Sequence, residues 1–180
     1  MGKSKILVVE DKFIETAQNT LWLLPESNFN FIFATNLDEA RDILWANWQE
    51  IATGIIDVCI PNVVGGKIDT HGIGFFKEAR QFNVPVVLFS DFDAHSKMTI
   101  EARKAIEDQA GINVVKIEYY FQATKPIKND PRSWLIAFWE AKAKINDEHR
   151  IQVMAGYGRI NRQWDLNLSF LINRFYNCTF

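Results

Sequence analysis

Lys5-Ile-Leu-Val-Val-Glu10-Asp11 decides the reading of this chain, because it is an apolar strand that ends on two adjacent carboxylates. Paired charges at the end of a buried strand are costly unless something compensates them. Two acids at a strand's carboxyl end therefore ask for a cation, and oxygen-only ligands suit a hard one such as Mg2+. The plainer alternative is an acidic helix start, with Asp11 capping the helix that follows. The choice between them depends on what other strand ends bring to the same place.

Outward from that strand, short apolar runs alternate with helical patterns to about residue 147. Phe13, Ile14, Ala17, Leu21 and Leu24 are spaced as one face of a helix. Residues 29–34 read as a second strand, and 38–48 as a second helix capped near Asn36 or Asp38. Residues 51–58 hold a third strand, closed off by Pro61 and the Gly65-Gly66 pair. Ile73, Phe75, Phe76, Ala79 and Phe82 mark a third helix. Residues 84–89 form a continuous, β-branched apolar run, as in a central strand buried on both faces. Residues 96–110 are helical and stop at Gly111; residues 112–121 give a fifth strand. Pro131 suits the first turn of a fifth helix, which runs to Ile145. Five β-α units in order predict a doubly wound α/β fold, a parallel sheet with helices on both faces. In such a fold the working site lies outside the carboxyl ends of the strands.

A chain of 180 residues is one domain, or one domain with an appendage. Residues 1–147 are expected to form the domain, and 148–180 a C-terminal extension. With 48% hydrophobic and 23% charged residues the composition is that of a globular protein with a real core. A net charge of −2 without clustered Lys and Arg argues against a nucleic-acid partner. Cys59 and Cys178 lie far apart and make no metal spacing, and His71, His95 and His149 make none either. A reducing cytoplasm fits such cysteine usage. No apolar run approaches the ~18–20 residues needed to span a bilayer, and the N-terminus lacks the apolar core of an export signal.

The strand ends carry matching chemistry. The first delivers Glu10 and Asp11, the third Asp57, the fourth Ser90 and Asp91, and the segment after the fifth Lys125-Pro126. Each has a dull explanation alone, as turn residues or solvated charge. Together they gather acids, a hydroxyl and an ammonium on one rim.

On these residues the chain resembles the receiver domain of two-component response regulators, the chemotaxis-type phosphoacceptor fold. The resemblance is carried by Glu10-Asp11, Asp57-Val-Cys-Ile-Pro61-Asn, Val-Val-Leu-Phe-Ser90 and Lys125-Pro126, and it covers roughly residues 3–147. It implies a flavodoxin-like five-stranded parallel sheet of order 2-1-3-4-5. It also implies that Asp57 accepts a phosphoryl group from a histidine kinase, a phosphotransfer protein or a small phosphodonor. Mg2+ would be held by Asp11, Asp57 and the backbone carbonyl of Cys59, with Glu10 acting through water. Lys125 would pair with the phosphoryl oxygens, and Ser90 would hydrogen-bond one of them after transfer. A carboxylate attacks phosphorus only where positive charge offsets the phosphoryl oxygens, so the residue set suits the chemistry. The output would be a contact with a downstream protein target.

Four features depart from the family pattern. Residues 63–71 form a longer link than usual, readable as a lid, a partner contact or an idle loop. Asp91 follows Ser90 where the family has a small residue. Gln122 stands at the aromatic switch position, with Phe121 and Tyr120 just before it. The tail is read as a helix on Ile160, Trp164, Leu168, Leu171 and Phe175, although Trp164, Leu166, Leu168 and Phe170 also fit strand alternation, and as either packed on the domain or pairing a homodimer. Two other readings compete: a pseudo-receiver that binds partners without phosphotransfer, and a Toprim-type metal-dependent nucleic-acid enzyme built on Glu10 and Asp91-Phe-Asp93. The latter leaves Asp57, Pro61 and Lys125-Pro126 unexplained.

Overall fold

Alternation along β1 (Lys5–Val9) sorts the core into two layers. Leu7 and Val9 point into one, with Ile56, Phe75, Phe76 and Leu88, while Ile6 and Val8 point into the other, with Ile55, Val87, Phe89 and Phe138. A strand with both faces buried must sit mid-sheet, since successive side chains leave on opposite sides. The computed structural model, which describes residues 3–24, 28–90, 104, 115–119, 127–145 and 151–155, bears this out. β1 pairs in parallel with β2 (Asn30–Ala34) on one side and with β3 (Ile51–Asp57) on the other. β3 in turn pairs in parallel with β6 (Val86–Phe89). The helices α2 (Leu37–Asn47) and α3 (His71–Gln81) supply one layer. The other comes from α1 (Ile14–Leu21) and α4 (Pro131–Lys144). The result is the doubly wound, flavodoxin-like α/β arrangement expected from the sequence.

The helix starts have local causes. Asn36 caps α2 by accepting the Glu39 backbone N–H at 3.0 Å, while Glu39 Oε2 accepts the N–H of Thr35 at 2.8 Å. This reciprocal arrangement satisfies two amides that the helix itself leaves unpaired. Asp130 caps α4 with Pro131 at its first position, where a missing N–H costs nothing. α1 is different: the side-chain acceptor just ahead of it is Glu10, whose Oε1 takes the N–H groups of Lys12 and Phe13, each at 3.1 Å. The amides just ahead of α1 thus go to Glu10 rather than to Asp11, and no side chain caps the helix itself.

Two features lie beyond the expected pattern. The long link after Asp57 is a small antiparallel hairpin, β4 (Ile60–Pro61) with β5 (Ile68–Asp69), whose turn carries Gly65 at φ 70°. Its base is tied to α2, where the Asp38 N–H donates to the Asn62 carbonyl at 2.9 Å. Val64 at its tip is 83% exposed. The second feature concerns the far side of the sheet. The expected fifth strand, β7 (Val115–Tyr119), does not pair with β6. Between them lies β8 (Ile151–Ala155), parallel to both, so the sheet order is β2-β1-β3-β6-β8-β7. The order 2-1-3-4 of the first four core strands is as expected, and a segment assigned to the extension separates the fourth from the fifth. The helix read over residues 160–175 lies outside the described residues, as does nearly all of the one read over 96–110. Among the described residues no helix is long and apolar enough to cross a membrane.

Candidate functional site

Parallel registry brings the strand ends to one rim. Val9 is level with Ile56, and Asp57 is level with Phe89, so Glu10, Asp57 and Ser90 leave three adjacent strands side by side. Glu10, Asp11 and Asp57 each offer a carboxylate oxygen within 4.8 Å of the other two. Glu10, Asp57 and Ser90 are buried and Asp11 is partly exposed.

The ammonium in this pocket is that of Lys128. Its Nζ lies 2.6 Å from Asp57 Oδ2 and 2.8 Å from Glu10 Oε2, with the side chain 2% exposed. Lys125, the lysine that the sequence put forward, lies outside the described residues, so Lys128 is a site residue that sequence reasoning missed. Lys128 stands two residues ahead of the Asp130-Pro131 start of α4, and nothing local marks it for the pocket. Asp91, Asp93, Tyr120, Phe121 and Gln122 also lie outside the described residues.

Each contact has an electrostatic consequence. Burial pushes the Asp57 carboxyl up to about 7, with Glu10's charge adding to the rise; Lys128 and the Cys59 N–H pull against it. That N–H donates to Asp57 Oδ1 at 3.0 Å, so both Asp57 oxygens are engaged. Burial works to lower the Lys128 pKa, but the Asp57 and Glu10 charges override it and hold the ammonium above its ordinary value. Burial, then Glu10, raises Asp11. Burial, then Asp57, pushes the Cys59 thiol up to about 12.

Among the described residues, and with all groups ionised, three carboxylates face one ammonium and leave a net excess of two negative charges in a largely buried pocket. That is the charge of one divalent cation, and an all-carboxylate donor set is one a hard cation takes. The residues therefore fit Mg2+. Glu10 already spends Oε1 on two backbone amides and Oε2 on Lys128. Asp57 is likewise engaged at both oxygens, by the Cys59 N–H and by Lys128, so Asp11, the partly exposed acid of the three, is the better placed direct ligand.

Backbone packing also holds the acceptor strand. Gly72, in the first turn of α3, donates its N–H to the Val58 carbonyl at 3.2 Å. A Cβ there would come within 1.9 Å of the Asp57 carbonyl oxygen. The helix can therefore lie this close to the end of β3 only through a residue with no side chain.

Fold and pocket together define a class: a parallel α/β domain whose strand ends carry an acidic, lysine-bridged cluster that could hold a cation. No protein-family model and no curated protein matches the chain. Similar solved structures are response regulators. One is a response regulator receiver domain protein from Clostridium thermocellum, at 16% identity and a TM-score of 0.44 over 98% of this chain and 99% of that one. Another is a two-component response regulator from Clostridium difficile, at 13% identity and a TM-score of 0.42 over 95% of this chain and 98% of that one.

Proposed function

We propose that the chain is a receiver-type phosphoacceptor that takes a phosphoryl group on Asp57 and passes its state on by protein contacts. The observation that carries this reading is the Lys128 ammonium set 2.6 Å from Asp57 Oδ2 beside the Glu10-Asp11 pair. An Asp57 oxygen would attack phosphorus and an acyl phosphate would form, as the P–N bond of a phosphohistidine donor breaks and imidazole leaves, or the P–O bond of acetyl phosphate breaks and acetate leaves. Lys128 would move from the carboxylate to the incoming phosphoryl oxygens, with Glu10 holding its other side. Ser90, one residue past the β6 position level with Asp57, would hydrogen-bond a phosphoryl oxygen after transfer. Asp11, Asp57 and the Cys59 carbonyl would hold Mg2+, with Glu10 acting through water. When bound, Mg2+ would offset the phosphoryl charge that Lys128 alone cannot. A histidine kinase or phosphotransfer protein in the cytoplasm would be the donor, and a target protein or a second copy of the chain the receiver of the signal.

Incubation with acetyl phosphate and Mg2+ should label the protein with one acid-stable, base-labile phosphoryl group, absent from Asp57→Asn. Labelling that survives Asp57→Asn would overturn the assignment. No labelling at any donor or Mg2+ concentration would instead leave the triad as a fixed ion cluster in a phosphorylation-independent interaction module.

A further inference from the structure

Lys128 sits on the short 3-10 turn Ile127–Asn129, outside every strand of the sheet. Its side chain nevertheless ends within 2.8 Å of both Glu10 and Asp57. Something other than strand pairing must fix its backbone, and the contacts show what does. The indole Nε1–H of Trp134 donates to the Lys128 carbonyl at 2.8 Å, across six residues of chain. Trp134 lies in the first turn of α4, where a helical side chain leans back toward the helix N-terminus and so toward the preceding turn. It is 1% exposed. A buried indole N–H must find an acceptor, and this one finds the backbone of the pocket lysine.

The same indole touches a second strand end. Its ring meets Phe89 edge-to-face with centroids 4.9 Å apart, and the Lys128 Nζ lies 5.5 Å from the Phe89 centroid. Phe89 is level with Asp57 in the sheet and immediately precedes Ser90. One buried side chain thus braces the turn that carries the ammonium and the strand end that carries the hydroxyl.

We propose that Trp134 is a positioning residue that holds the Lys128 ammonium over the Glu10–Asp57 gap. The catalytic consequence rests on the phosphoacceptor reading; the placement of the amine does not. Phenylalanine at this position keeps an aromatic ring against Phe89 and removes the donor to the Lys128 carbonyl together with part of the indole's volume, so Trp134→Phe is informative when general loosening is read beside it.

Two measurements on the full chain test the proposal separately. The first is reductive methylation with labelled formaldehyde, followed by mass spectrometry of each lysine. Lys128 should be strongly protected in the wild type and modified about 10-fold faster in Trp134→Phe, with the other lysines unchanged. Equal protection of Lys128 in both proteins overturns the proposal, and so does a rise shared by all buried sites, which would mean general loosening. The second is the rate of labelling by acetyl phosphate. Trp134→Phe should lower the maximal rate about 10-fold while the Mg2+ concentration for half-saturation moves less than 2-fold. In a Lys128→Met background Trp134→Phe should have no further effect; an equal slowing there would show that the two residues act independently. If the wild type takes no label, the phosphoacceptor reading fails, and the methylation result still decides the placement of Lys128.

Discussion

Replacing Lys128 with methionine would remove the positive charge from a pocket that keeps three carboxylates, and the cost depends on how many of them stay ionised. The ammonium is 2.6 Å and 2.8 Å from its two partners and is almost fully buried. Breaking a buried pair by removing one partner costs about 3–5 kcal/mol, since an uncompensated charge is left behind. Asp57 has a partial escape, because burial and Glu10 already hold it near 7, and losing Lys128 drives it higher still. Below pH 7 it can take up a proton and shed most of the penalty; at pH 8 the penalty stands nearer its full size. Without Mg2+ the variant should therefore be destabilised by about 3 kcal/mol at pH 8, or about 6–12 °C in Tm for a chain of this length. At pH 6 the loss should be roughly half that or less. Thermal unfolding in chelator at the two pH values measures this directly. Labelling by acetyl phosphate should fall by about 100-fold or more, as when a charge-stabilising donor is lost from a transition state. Lys125→Met is the control, with a stability change within about 0.5 kcal/mol and labelling retained. If Lys128→Met melted like the wild type and still took label, while Lys125→Met did neither, the assignment of the pocket ammonium would be refuted.

Other outcomes follow from the same geometry. In metal-free buffer Asp57→Asn should gain on the wild type as pH rises. The folded-state pKa of about 7 lies above the ordinary 3.8, so the folded protein holds that proton more tightly than the unfolded chain. Wild-type stability is then lost as pH rises between those values, by up to about 4 kcal/mol relative to the variant; a urea-melt difference equal at pH 4 and pH 8 contradicts this. Gly72→Ala puts a Cβ against the Asp57 carbonyl and should cost about 2–3 kcal/mol or more while slowing labelling, whereas Gly74→Ala, with open space around it, should do neither. Millimolar Mg2+ should raise the Tm of the wild type and do so far less in Asp11→Asn, because only the intact acid set leaves two negative charges to neutralise. An equal Mg2+ effect in both proteins would mean that the ion binds elsewhere.

Much of the site was legible because it is local information. Glu10, Asp57 and Ser90 each end an apolar run, and where a run ends is read from neighbours in the chain. Registry does the rest, since parallel pairing of such runs brings their ends level. Lys128 is another case. Lys125-Pro126, which matched a familiar pattern, lies outside the described residues, and Lys128 stands three residues further on. What selects Lys128 is a bond from an indole six residues away and two carboxylates on other strands, contacts that no local pattern encodes. The exchange of roles between Glu10 and Asp11 at the start of α1 is equally a matter of side-chain direction. β8 escaped for a related reason: Ile151–Ala155 is a short run whose position between β6 and β7 depends on long-range pairing alone.

That position has a bearing on synthesis. A chain emerging from the ribosome can pair β2, β1, β3 and β6 once about half of it is out, and these strands carry Glu10, Asp11, Asp57 and Ser90. Among the described residues β7 leaves next and pairs with β8 alone, which is made some thirty residues later. Until then the edge of β6 stands open, a template for pairing with another nascent chain. Completion of the sheet is thus timed by one of its last-made strands, and a helper that shields β6 during that interval would act on yield without touching the finished pocket.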